Sequence, residues 1–312
     1  GEHLKRLPDG EVGERDTWIR WQNKRIGQSP QMRQQEAENI YVPFPPFEVV
    51  EGISAPDEIE FPKLGYGDAA IESYQTYKRL EADGIIPDDK RFMVGLPTPL
   101  SVATFYVAPE SRNIFEQAYS RALGEEFDKM VNTIPAEKLS IQWEAVSEFS
   151  LLEGLSENHI GETLLDEITS RLAGLVDLVP PGVEAGIHLC YGDSGHKHFC
   201  EPEDTAHLVD VANGVARKVT RPISWIHLPV PKERDDETYF APLKNLNLGD
   251  DTELYLGLLH QTGGQGGTER RIAAASSAIE RFGIATECGL GRREQTTIPD
   301  LMDQHASFCN SE

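Results

Sequence analysis

The chain has 312 residues, 39% of them hydrophobic, which is enough for a sizeable core and argues against wholesale disorder. Its 29 basic and 52 acidic residues leave a formal charge of −23, a surface that repels phosphate and so argues against nucleic acid or anionic membranes as partners. No apolar run approaches the roughly 20 residues that span a bilayer, and no charged-then-apolar leader opens the chain, so a soluble protein is expected.

Four unevenly spaced cysteines do not make a disulfide framework, and they fit a reducing cytoplasm with thiols available for metal or catalysis. The opening of the chain is the hardest stretch to read. "EHLKRL" (2–7) has a helix-like pattern, while 4–22 also reads as a strand, a polar loop and a helix start. With Gly1 and no Met at the front, the expectation is that the full gene encodes a further strand ahead of it. Asp9, Glu11 and Arg15 in "LPDGEVGER" are candidates for contacts to a polar substrate; an N-cap and surface ion pairs are the alternative. Residues 41–68 are proline-rich and irregular, and are expected to wrap around one end of the fold.

From residue 91 onward short apolar runs recur, at 91–97, 138–144, 184–192, 223–229, 253–259 and 282–289, each reading as a strand buried on both faces. Amphipathic stretches lie between them at 112–131, 157–178, 203–217 and 268–282. This alternation signals βαβ units and a parallel sheet, either a closed (β/α)8 TIM barrel or an open doubly wound sheet, in one domain over 1–312. No Gly-rich fingerprint follows a first strand, which weakens the dinucleotide-binding version. "GGQGG" (263–267) follows a strand without the Lys-Ser/Thr ending of a phosphate loop, and reads as a mobile active-site loop or a plain connector.

The C-terminal ends of these strands carry Glu144, then His188 and Cys190, His227, His260, and Glu287 with Cys288. In a parallel barrel those ends share the face where active sites form. His188 and Cys190, two apart on one strand, point the same way because side chains alternate. Imidazole and thiolate are zinc ligands, and Cys288 at the last strand end is the natural third. A competing local cluster is His196, His198 and Cys200, which read more simply as part of a solvated lid; Cys309 lies in a polar tail and reads as incidental.

"HLCYGD", followed about a hundred residues later by "ECGLGRR", resembles the catalytic C-terminal domain of cobalamin-independent methionine synthase. "IQWEA" (141–145) sits where that family has an Ile-Gln-Ile-Asp-Glu-Pro stretch. The resemblance covers 91–295 in order and spacing and is weak before that. It implies a (β/α)8 barrel of the methionine synthase and uroporphyrinogen decarboxylase superfamily, here with an irregular N-terminal extension. It also implies zinc held by His188, Cys190 and Cys288, and places Glu144 on a substrate-binding aspartate position. The family's fourth ligand is a glutamate; "WIHLPVP" puts His227 there, so the implied set is two His and two Cys. The chain has no room for the second barrel of the two-barrel enzymes and looks like a single-barrel relative.

The function this implies is zinc-dependent transfer of a methyl or other alkyl group to a thiol. The partners would be a small-molecule thiol and an alkyl donor, Glu144 would bind a substrate ammonium, and His260 would position or protonate the donor. A decarboxylase or lyase on the same barrel, or a non-catalytic zinc barrel, are the alternatives; the identities of thiol and donor and the oligomeric state stay open.

Overall fold

Apolar strand runs bounded by turns, with helices between them, form a sheet whose neighbours are all parallel and follow chain order. The computed structural model describes residues 4–11, 13–16, 18–36, 44–193, 197–291 and 293–309. The seven strands are β1 (Arg6–Pro8), β4 (Arg91–Pro97), β5 (Leu139–Ala145), β6 (Glu184–Leu189), β7 (Trp225–Pro229), β8 (Glu253–Leu259) and β9 (Gly283–Thr286). A separate antiparallel ribbon joins β2 (Met32–Gln34) to β3 (Phe47–Val49). Strictly sequential parallel order has no point where the winding reverses, so the doubly wound alternative is set aside.

Helices fill the connections. α1 (Trp18–Ile26) and α2 (Tyr66–Ala82) precede β4; α3 (Pro99–Tyr106) and α4 (Arg112–Val131) precede β5; α5 (Ser147–Leu152) and α6 (Leu164–Leu178) precede β6. α7 (Ala206–Lys218) precedes β7, α8 (Glu237–Phe240) precedes β8, α9 (Gly264–Ser276) precedes β9, and α10 (Ile298–Cys309) follows it. α3 begins where Thr98 accepts a bond from the Ser101 amide and Pro99 opens the first turn. Glu148 then links the two loops beside it, accepting hydrogen bonds from the Thr98 and Ser101 hydroxyls. Among the described residues no helix is long and apolar enough to cross a membrane.

The sheet is curled. Neighbouring strands lie about 4.8 Å apart, so a flat sheet would separate β1 from β8, five steps away, by about 24 Å. Yet the Arg6 guanidinium on β1 bonds Glu184 Oε2 on β6 at 2.5 Å and Glu253 Oε2 on β8 at 2.9 Å, and lies 4.1 Å from the centre of the Trp225 ring on β7. The outward-facing residues meet the helices: Trp143 stacks on Phe127 of α4, and Phe92 packs on Tyr74 and Tyr77 of α2. The inward face is polar and layered, a departure from strands expected to be apolar on both sides. Arg6, Glu184 and Glu253 form its lowest layer, Gln142 and Trp225 the next, and Glu144, His188 and His227 the uppermost.

Several expectations need correction. Of the two readings of the opening, the strand, polar loop and helix start holds, with β1 at 6–8 and α1 from Trp18, and the helix-like reading of the first residues falls for 6–7. The 263–267 segment is neither mobile loop nor plain connector: Gly263, at φ +116°, caps α9 and the residues after it form the first turn. Of the 41–68 stretch, 41–43 lie outside the described residues; the remainder includes β3, a short 3-10 turn at Pro56–Glu58 and the start of α2. Ala108 N donates to Phe47 O at 2.8 Å and so fixes the ribbon to the α3–α4 junction.

The layer order depends on a glycine. A Cβ at residue 186 would sit 2.0 Å from Trp225 Cε2, so the indole lies flat across Gly186 and fills the concave face. Gly186→Ala should therefore cost at least about 2 kcal/mol in urea unfolding, because the ring has nowhere to move. A loss below about 0.5 kcal/mol would mean that the indole does not occupy that space.

Candidate metal centre

The β6 strand delivers His188 inward, and the ladder continues past its end, with Cys190 N donating to Ala145 O at 2.8 Å. Cys190 therefore shares the inward face with His188, two residues back. Gly192, at φ +77°, then turns the chain, and its amide donates to Cys190 Sγ at 3.3 Å. Cys288 arrives from the other side, two residues beyond β9. Gly257 on β8 admits that approach: a Cβ there would lie 2.7 Å from the Glu287 Cα.

The result is one cluster. A ligand atom each from His188, Cys190 and Cys288 lies within 4.8 Å of the other two. Bond lengths of about 2.0–2.1 Å to nitrogen and 2.3 Å to sulfur put tetrahedral ligands some 3.3–3.8 Å apart, so a contraction of about 1 Å encloses a zinc ion. Two facts of the chemistry favour that fit. The donors are two thiols and an imidazole, the soft set that selects zinc over magnesium or calcium. His188 Nε2 is buried without a hydrogen-bond partner, the kind of orphan a metal ion satisfies.

Burial alone would discharge His188, but the Glu144 carboxylate, with Oε2 3.9 Å from Nε2, and the Cys288 sulfur hold its pKa above the ordinary imidazole value. The hydrogen bond to Cys288, reinforced by burial, pushes the Cys190 thiol well above its ordinary value. The Cys190 thiol therefore carries a proton in the metal-free protein that a metal ion displaces, and His188 gives up its proton less readily than an ordinary imidazole.

His227 lies on β7 in direct register with His188, and the two rings stack with centroids 4.6 Å apart at 16°. Their Nδ1 atoms are 2.7 Å apart. His227 is thus at the site but outside the group of three mutually close ligand atoms. Burial, and then the neighbouring His188, lower its pKa to about 3, so it is neutral. His260, expected to serve an alkyl donor, has both nitrogens engaged: Nδ1 meets Glu287 Oε2 at 2.9 Å and Nε2 meets Val230 O at 2.9 Å. Arg293 takes the other Glu287 oxygen at 3.2 Å, so the trio braces the strand end that bears Cys288.

Glu144 stands opposite His188 across the β5–β6 ladder. Its Oε1 accepts from Gln142 Nε2 at 2.8 Å, and Gln142 Oε1 accepts from Trp225 Nε1 at 2.9 Å. Sequence reading passed over both orienting residues, although each lies two positions before a flagged residue on the same face. Asp9 and Arg15 form a bidentate pair at 2.7 and 3.1 Å, with Arg15 also on Ser73, so they brace the loop after β1. Glu11, at φ +46°, accompanies them and reaches towards Gly291 in the loop after β9. In the competing cluster His196 lies outside the described residues, and His198 and Cys200 belong to no group of mutually close ligands among those described. Cys309 sits on α10.

A scan against protein-family models and a search of curated proteins each found no match to this chain.

The purified protein should bind about one zinc per chain, and Cys190→Ser or Cys288→Ser should each weaken it by more than about 100-fold in chelator competition, beyond what outer partners contribute. Undiminished affinity in both variants would dissolve the cluster. Zinc uptake expels the proton of the Cys190 thiol, whose pKa is raised, so affinity should rise with pH between about 6 and 8, by about tenfold per pH unit for each proton displaced. A pH-independent affinity would contradict a protonated Cys190 thiol in the metal-free site.

Proposed function

We propose that the chain is a zinc-dependent methyl- or alkyltransferase acting on a small thiol, built on a closed (β/α)8 barrel of which the seven-stranded sheet is the greater part. The observation that supports this reading is the convergence of His188, Cys190 and Cys288 from strands three steps apart in the sheet. Three protein ligands leave one tetrahedral position for a substrate, whereas structural zinc sites are closed by four. Zinc, when bound, supplies a Lewis acid that keeps a substrate sulfur as thiolate at neutral pH.

The chain's own residues supply recognition. Glu144 is held by the Gln142–Trp225 relay and faces His188, a position from which its carboxylate binds a substrate ammonium next to the reacting sulfur. His260, pinned between Glu287 and Val230, holds the Cys288 strand end in place. In the transfer, the alkyl carbon forms a bond to the substrate sulfur while its bond to the donor breaks; the leaving group keeps the electron pair and the thiol proton passes to solvent.

Cobalt-substituted protein tests the reading. Its visible spectrum should change on adding a thiol, at lower concentration for an aminothiol than for the same thiol without its amine. Glu144→Gln should remove that preference by about tenfold or more while leaving the response to the plain thiol. A spectrum that no thiol moves would identify a closed structural site instead.

A further inference from the structure

The paired histidines of the uppermost layer admit a division of labour that residue identity alone does not reveal. His188 and His227 face each other across a parallel ladder with Nδ1 atoms 2.7 Å apart, a hydrogen-bond distance in which one ring donates and the other accepts. The Nε2 atom of each ring points away from that bond, and both are buried without a hydrogen-bond partner. Only His188 belongs to the cluster with the two cysteines.

We propose that His227 is not a metal ligand but a positioning residue: its Nδ1 accepts the Nδ1 proton of His188 and so presents the lone pair of His188 Nε2 to the metal. This rests on the reading of His188, Cys190 and Cys288 as the metal's protein ligands. The logic is one of proton places. A ring that ligates through Nε2 carries its proton on Nδ1, and that proton needs an acceptor; His227 Nδ1, 2.7 Å from His188 Nδ1, is placed to be it. His227 then bears its own proton on Nε2. Metal-bound histidines usually donate their second nitrogen to a carboxylate or carbonyl, which fixes tautomer and ring orientation. A neutral imidazole in that place adds no charge to the site. It also leaves the fourth position to a substrate rather than to the protein.

Long-range proton–nitrogen NMR of histidine-labelled protein reads the tautomers directly. His227 should carry its proton on Nε2 and an acceptor nitrogen at Nδ1, in the metal-free and the zinc-loaded protein alike. His227→Ala should weaken zinc by about 10–100-fold and leave the cobalt spectrum that of the same three protein ligands. His227→Asn, whose Oδ1 takes over as acceptor near the old Nδ1, should recover most of the affinity. The proposal is overturned if His227 shows a metal-bound nitrogen, if its proton resides on Nδ1, or if Asn is no better than Ala. It is also overturned if the alanine variant loses a nitrogen ligand from the cobalt spectrum. Should the wild-type protein take up no metal, the reading of the site fails, while the tautomer of His227 in the metal-free protein still decides the hydrogen bond.

Discussion

The indole of Trp225 lies across Gly186, and the organisation of the concave face follows from that contact. Beneath the ring, Arg6 stacks on the indole and bonds Glu184 and Glu253. Burial would lower the pKa of this guanidinium, but its two carboxylate partners raise it, so the charge is kept. Buried ion pairs add little net stability because desolvation offsets their attraction, but they tolerate no missing partner. This one therefore ties β1 to β6 and β8 and holds the sheet in its curl. Above the ring, the indole N–H begins the relay through Gln142 to Glu144. One side chain separates the charged base from the site and orients the carboxylate within it.

The curl is also what makes a metal site possible. In a flat sheet β6 and β9 would stand about 14 Å apart, too far for one ion to bridge. Curling brings Cys288 to Cys190 and His188, and the His260–Glu287–Arg293 trio fixes the strand end from which Cys288 projects. The chain's large negative charge attracts cations without selecting among them. Selection comes from two sulfur donors and one imidazole in a buried setting.

Much of this was legible in the chain itself. The apolar runs located β4 to β9 to within a few residues, and the two-residue period put His188 and Cys190 on one face. What periodicity supplies is a face, not a direction for the ring. His227 was read as a strand-end residue and, through the resemblance, as a fourth ligand; its contact with His188 depends on ladder register, which no local pattern encodes. His260 was flagged for its place at a strand end, while Val230 O and Glu287, its partners, come from two other segments. Arg6 and Glu253 lie 247 residues apart, so the polar interior was hidden for the same reason. The glycines at 263–267 misled because Gly disfavours helix interiors, whereas here it occupies a cap and first turn, where that cost is small.

X-ray absorption at the zinc edge, with and without an aminothiol, tests the central claim most directly. The account predicts a first shell of about two sulfur and two lighter atoms in the resting protein, changing to about three sulfurs and one nitrogen when the thiol binds. A shell that already holds two sulfurs and two imidazole nitrogens, and that stays unchanged with thiol, would make His227 a ligand and the site a closed structural one.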